Sequence, residues 1–310
     1  MSLLHTSAAP HINSGASTNR IMLDVVIAML PASAAAVVLF GLKALWIILT
    51  CVAAAVLSEL VFNLCMHKKQ TVGDFSAVVT GLLLALNLST NVPLWQCAVG
   101  SVFAIVVVKC FFGGLGKNIV NPAITARVFM LLTFSAVAGG AAPTIVELTS
   151  SATPLEALNQ GVEMAKSISL KDLFLGMHGG AIGETCAVAL LVGFVYLVAR
   201  KVIKWYVPMS FIATVFLCYF VFTFDAVYAL QQVLAGGLIL GAVFMATDYV
   251  TTPATPWGRV IFCVGCGLIT FLIRQFGSYP EGVSISILAM NLLVPFLEKW
   301  TTRKPLGGIK

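Results

Sequence analysis

Charge is what this sequence has least of. Asp, Glu, Lys and Arg make up 10% of its 310 residues while 59% are hydrophobic, against ~25% charged in an average soluble domain. So few charges cannot cover the surface of a water-soluble domain of this length, which excludes a soluble enzyme or binding module. A disulfide framework is missing too. Cys51, Cys65, Cys97, Cys110, Cys186, Cys218, Cys263 and Cys266 all fall in or beside apolar runs, and none falls in the one long polar stretch, the reverse of a secreted cross-linked scaffold. Nor does the chain open like a cleavable signal peptide: residues 1–20 are polar, with His5, His11 and a Ser/Thr-rich run, and no small-residue cleavage site follows the first apolar stretch. That segment is expected to lie along the cytoplasmic face.

What is present is a succession of apolar runs, most of them near the ~20 residues a helix needs to cross a bilayer. They predict an all-α, polytopic membrane protein with about ten transmembrane helices, the whole of 1–310 forming a single integral membrane domain. The expected spans are 22–41, 44–64, 75–90, 94–112, 123–139, 183–200, 205–224, 226–246, 258–276 and 282–298. Several are short or interrupted by Gly and Pro, so one or two are expected to be re-entrant or broken. Basic residues favour the cytoplasmic side. With both termini inside, only Lys43, Lys166, Lys171 and Arg274 of the 18 basic residues fall outside, along with the 140–182 loop. Arg20, Lys68, Lys69, Lys109, Lys117, Arg127, Arg200, Lys201, Lys204, Arg259 and the C-terminal basic residues fall inside. Topology therefore accounts for the net charge of +6, and no nucleic-acid partner is needed.

Two pairs of segments resemble each other. Asn121-Pro122-Ala123-Ile124-Thr125-Ala126-Arg127 is like Thr252-Pro253-Ala254-Thr255-Pro256-Trp257-Gly258-Arg259, and Gly73-Asp74-Phe75-Ser76 is like Gly183-Glu184-Thr185-Cys186. A possible internal inverted repeat, a transporter trait, and chance similarity between apolar segments both account for this. Gly113-Gly114-Leu115-Gly116-Lys117-Asn118 sets Lys beside a Gly-rich turn but lacks P-loop spacing. It and Thr247–Arg259 are expected to be packed turns or contacts for another subunit. Cys263-Val264-Gly265-Cys266 has metal-like spacing inside an apolar run; buried packing is the expected role, with a cluster shared with a neighbouring subunit as the alternative.

Charged groups at membrane depth are costly and usually functional. Glu59, Asp74, Glu184, Asp225 and Asp248 lie within spans or at their ends. Asp74, Glu184 and Asp248 each open or close a span beside Gly, Thr or Pro, so they are candidates to bind a cation or a flavin between helices. The plainer alternative is interfacial placement, or pairing with Arg127 and Arg259. In the outer loop, Ser150-Ser151-Ala152-Thr153 precedes Pro154-Leu155 and an amphipathic helical pattern. Ser and Thr are common helix N-caps, and Pro suits the first turn. A hydroxyl on an exposed segment flanked by small residues is equally a place where a group can be attached covalently.

Ser150-Ser151-Ala152-Thr153-Pro154-Leu155 resembles the flavinylation motif of the membrane subunits shared by Rnf complexes and the sodium-pumping NADH:quinone oxidoreductases. Ser151 stands where members of that family usually carry Gly. Gly113–Ala123, Gly183-Glu184-Thr185, Phe244-Met245-Ala246-Thr247-Asp248 and Phe276-Gly277-Ser278-Tyr279-Pro280-Glu281-Gly282-Val283 are similar to family segments in the same order. The resemblance covers about residues 10–300 and implies FMN on Thr153 through a phosphoester. It also implies riboflavin bound non-covalently within the spans, and a flavin transferase that performs the attachment. The first apolar run begins near residue 22, without the long N-terminal extension usual in the NADH:quinone branch, so the Rnf branch is the expected one. That placement implies a cell inner-membrane subunit that relays electrons between ferredoxin and NAD while sodium or protons move. Its implied partners are other Rnf subunits carrying iron–sulfur clusters and a second covalent FMN. No NAD or cluster motif is recognisable here, so the subunit is not a complete enzyme by itself. The alternatives are a membrane subunit of the NADH:quinone type and a flavin-free channel or secondary transporter.

Overall fold

The computed structural model describes residues 17–134, 154–159, 169–277 and 281–302, and every regular element among them is a helix. In chain order these are α1 (Thr18–Phe40), α2 (Leu42–Cys65), α3 (Ser76–Leu86), α4 (Leu94–Val102, continuing as a π-helix over Phe103–Cys110), α5 (Pro122–Thr133), α6 (Pro154–Asn159) and α7 (Leu170–Leu175). There follow α8 (Ala187–Ala199), α9 (Tyr206–Thr223), α10 (Ala226–Leu234), α11 (Leu238–Leu240, continuing as a π-helix over Gly241–Met245), α12 (Pro256–Phe276) and α13 (Val283–Thr301). Each of the ten apolar runs holds a helix. By length and composition α1, α2, α9, α12 and α13 can cross a membrane, and α10 with α11 forms a pair bent by 68°, a broken span or a re-entrant loop. One expected re-entrant or broken segment is therefore 226–246, with its break at Ala235-Gly236-Gly237; Gly236 has φ +71°, a conformation glycine adopts without strain.

The short helices position the site. α3, α5 and α8 have 11, 12 and 13 residues, about 16–20 Å of rise against a hydrocarbon layer of ~30 Å. The end of α3 and the starts of α5 and α8 are buried within the protein, where every backbone group needs a partner. At the end of α3 the carbonyls of Leu86 and Leu88 accept from the amides of Gly183 (2.7 Å) and Ile182 (2.8 Å), in the segment leading to α8. Only glycine allows this approach: a side chain at 183 would stand 2.5 Å from Leu86 Cβ.

Helix starts carry the expected cap chemistry. Asn121 Oδ1 accepts from the amides of Ala123 and Ile124, and Thr255 Oγ1 from that of Gly258, each followed by Pro in the first turn. Both segments open a helix with a cap and Pro, but the caps are out of register: Asn121 matches Thr252 in the sequence likeness, whereas the second helix is capped by Thr255. The other pair opens differently: Asp74 Oδ1 accepts from Ser76 N, whereas Cys186 makes no side-chain cap.

α2 packs on α3 and α4, α9 on α10 and α12, α12 on α13, and α1 crosses α8. At that last crossing a side chain on Gly193 would come within 2.3 Å of Ala28 O, a small-residue contact of the kind membrane helices favour. Gly193→Ala is expected to cost about 1–3 kcal/mol through overpacking, read as a lower thermal midpoint of the detergent-solubilised protein. Cys263 and Cys266 are buried in the apolar core. Lys109 and Arg127, counted with the cytoplasmic basic residues by sequence, are buried, each paired with a carboxylate.

Candidate functional site

Ser150, Ser151, Ala152 and Thr153 lie outside the described residues. The chain resumes at Pro154, bonded directly to Thr153, as α6. Leu155 and Leu158 of this short helix are buried. Tyr228 OH on α10 donates to Leu158 O (3.0 Å), and a side chain on Gly236 would meet Leu155 Cδ2 at 3.1 Å. The segment following Thr153 is thereby held against the break between α10 and α11.

The same break carries buried charge. Arg127 of α5 donates through Nη1 and Nη2 to Glu184 Oε1 (3.2 Å each), through Nη1 to Asn87 Oδ1, and through Nη2 to Glu281 Oε2. Glu281 Oε1 accepts from the amide of Gly237 (3.0 Å), the first backbone N–H beyond the break. On the other side of the break Arg274 donates to the carbonyls of Gln232 (2.6 Å) and Ala235 (3.3 Å). A glutamate thus holds the start of α11 and an arginine the end of α10, each matching the sign of the helix terminus it meets. A side chain at 237 would lie 2.8 Å from Oε1 of both Glu184 and Glu281, so the absence of one makes room for the pair. Of the two alternatives for Glu184, the structure shows pairing with Arg127. Glu281 and Arg274 were not among the residues singled out from sequence. Their signal was a Pro-Glu-Gly turn and an arginine closing an apolar run.

A second polar network links α2, α3 and α4. Lys109 Nζ donates to Glu59 Oε1 (2.9 Å) and to Ser76 Oγ (2.6 Å), and Thr71 Oγ1 donates to Glu59 Oε1 (2.6 Å). Asp74 anchors this network by accepting from Ser76 Oγ. Ser76, Thr80, Lys109, Asn118, Asn121 and Asp248 border one cleft. Its other walls are apolar side chains of α1, α8 and α11. Asn118 Oδ1 is buried there with no partner among the described residues. Asp248 accepts from Thr251 Oγ1 (2.9 Å) and Val250 N (3.4 Å). It does not pair with Arg259, whose Nε donates to Pro253 O. Asp225 caps α10. Asp74 and Asp248 therefore belong to the surroundings of the cleft, and Glu184 to the separate network at the break.

A profile of the NQR2, RnfD, RnfE family matches residues 5–307. The chain belongs to that family. Similar members include the D subunit of the Na(+)-translocating ferredoxin:NAD(+) oxidoreductase complex of Acetobacterium woodii, 44% identical over 310 residues that cover 99% of this chain and 96% of the relative. The D subunit of the proton-translocating ferredoxin:NAD(+) oxidoreductase complex of Clostridium ljungdahlii is 38% identical, covering 97% and 95%. Its counterpart in the ion-translocating oxidoreductase complex of Escherichia coli O7:K1 is 34% identical, covering 98% of both. In this member of the NQR2, RnfD, RnfE family, both polar networks and the cleft lie within the matched residues.

Proposed function

We propose that this chain is the D subunit of an Rnf-type complex, a multi-pass inner-membrane subunit that relays electrons while ferredoxin and NAD react and sodium or protons cross. In this reading FMN is carried on Thr153 by a phosphoester, placed there by a flavin transferase, and riboflavin occupies the cleft bordered by Ser76, Asn118 and Asp248. Both termini are cytoplasmic and 140–182 faces outside. Its partners are the other subunits of the complex, including those with iron–sulfur clusters and a second covalent FMN. Bound flavins supply one- and two-electron chemistry, which no side chain of this protein provides.

The residues fit these groups. The Thr153 hydroxyl offers the oxygen that a phosphoester needs. The cleft offers apolar walls for an aromatic ring and, at Asn118 Oδ1, an acceptor without a partner among the described residues, suited to a ring N–H. The observation that carries the reading is the anchoring of α6. Tyr228 and Gly236 hold the residues beyond Thr153 against a broken helix with buried charges, so a group on Thr153 is tethered beside the membrane part of the protein.

Thr153→Val removes the only atom that can be esterified at that position. The purified variant is expected to insert and assemble, lose in-gel flavin fluorescence from this subunit, and show no FMN-sized mass on the peptide containing residue 153. Ferredoxin:NAD activity of the complex should fall to background. Full redox activity in Thr153→Val would sink the proposal.

A further inference from the structure

We propose that Glu184 and Glu281 form a proton-binding site in the membrane part of the protein, the two carboxyl groups holding one exchangeable proton between them. The inference concerns the break between α10 and α11 and does not depend on the flavin at Thr153. Arg127 Nη2 donates to both carboxylates, and Oε1 of each lies 2.8 Å from the point where a Gly237 side chain would begin. Two carboxylates so close together share one guanidinium. The other cation nearby, Arg274, is turned onto the carbonyls of Gln232 and Ala235, where it offsets the negative end of α10. Like charges this near, away from water, do not both ionise; one proton stays on the pair. Among the described residues, Tyr219 of α9 and Tyr228 of α10 also lie at the break, His178 lies near Thr185, next to Glu184, and Asn87 of α3 supplies only an amide.

A second observation points to what exchanges protons with the pair. Arg274 Nε, Tyr219 OH and Gln232 Oε1 are buried with no hydrogen-bond partner among the described residues. They belong to one neighbourhood: Arg274 bonds to the Gln232 carbonyl (2.6 Å), Gln232 Nε2 to Tyr228 OH (3.1 Å), and the Tyr219 and Tyr228 rings lie 5.9 Å apart. Buried donors and acceptors left over in this way are satisfied by ordered water. Water joining these three atoms would give the carboxyl pair donors and acceptors for proton exchange. The step is a simple equilibrium: the carboxylate pair takes up one proton to become one carboxylic acid and one carboxylate, with no electron exchanged.

The test is infrared spectroscopy of the intact purified complex at about pH 8, where ordinary carboxyls, with values near 4, are ionised. The expected result is a carboxylic-acid carbonyl band that shifts on transfer to deuterium oxide and disappears in both Glu184→Gln and Glu281→Gln. Absence of any such band from the native complex overturns the proposal without recourse to variants, as does a band that persists unchanged in both. Should the glutamine variants fail to assemble, Glu184→Asp and Glu281→Asp keep the charge. A displaced band in these supports the site, and an unmoved one overturns it.

Discussion

Replacing Arg127 with Met is expected to cost about 3–5 kcal/mol, the usual penalty for removing one partner of a buried charged pair. That is a large share of the ~5–15 kcal/mol that holds a typical domain together. The reason is geometric. One guanidinium serves Asn87 at the end of α3, Glu184 before α8 and Glu281 before α13, so its loss leaves acceptors from three elements without a donor. Lys at 127 keeps the charge, but a single ammonium cannot reproduce the planar fork, and an intermediate loss is expected. Combining Arg127→Met with Glu184→Gln and Glu281→Gln removes the uncompensated charge and should recover much of the lost stability. The measurements are subunit abundance in membranes and the thermal midpoint of the solubilised complex. An Arg127→Met protein that assembles with an unchanged midpoint would show that these contacts contribute nothing to the fold.

The partners of Arg127 also show where sequence reading stops. Glu184 was legible because an acid beside Gly and Thr at the edge of an apolar run is out of place, and pairing with Arg127 was one of its two expected fates. Glu281 was not legible as a partner. It lies 154 positions from Arg127, and nothing local says that the turn before α13 reaches the middle of α5. Periodicity marks which face of a helix is apolar; it does not say which residue between helices packs against it. The break at 235–237 was partly legible, since two adjacent glycines inside an apolar run weaken a helix. That Leu155, two residues past Thr153, packs there was not. Thr153 itself was legible only through the resemblance of its flanking motif, because a hydroxyl before Pro is, by spacing alone, an ordinary helix start.

Lys109 gives the opposite lesson. It counts with the cytoplasmic residues when charge is tallied along the chain, yet it lies between Val108 and Cys110 inside an apolar run and is 1% exposed. The signal was available in Glu59, an acid similarly enclosed in α2, and only the packing of α2 against the π-helical end of α4 brings the two together.

That pair carries the second large effect. Lys109→Met removes the only cation bonded to Glu59 among the described residues, whose Oε1 then keeps Thr71 alone and whose Oε2 has no partner among them. The expected loss is again about 3–5 kcal/mol, seen as poor accumulation of the subunit. Glu59→Met alone should cost a similar amount, since it leaves the ammonium buried with only Ser76 as acceptor. The double replacement Glu59→Met, Lys109→Met is expected to accumulate better than either single variant, because two apolar chains of similar volume replace a pair whose attraction barely repays its desolvation. Function separates from stability at this point. Ser76 loses its hydrogen bond from Lys109 in the double variant, and Ser76 borders the cleft. A stable double variant should therefore lose non-covalent flavin, measured as riboflavin released on denaturation per subunit, while FMN on Thr153 is retained. Singles that accumulate normally would mean that water reaches the pair and that it is not a buried one. A double variant with full riboflavin content would show that the polar network beneath the cleft takes no part in holding its occupant.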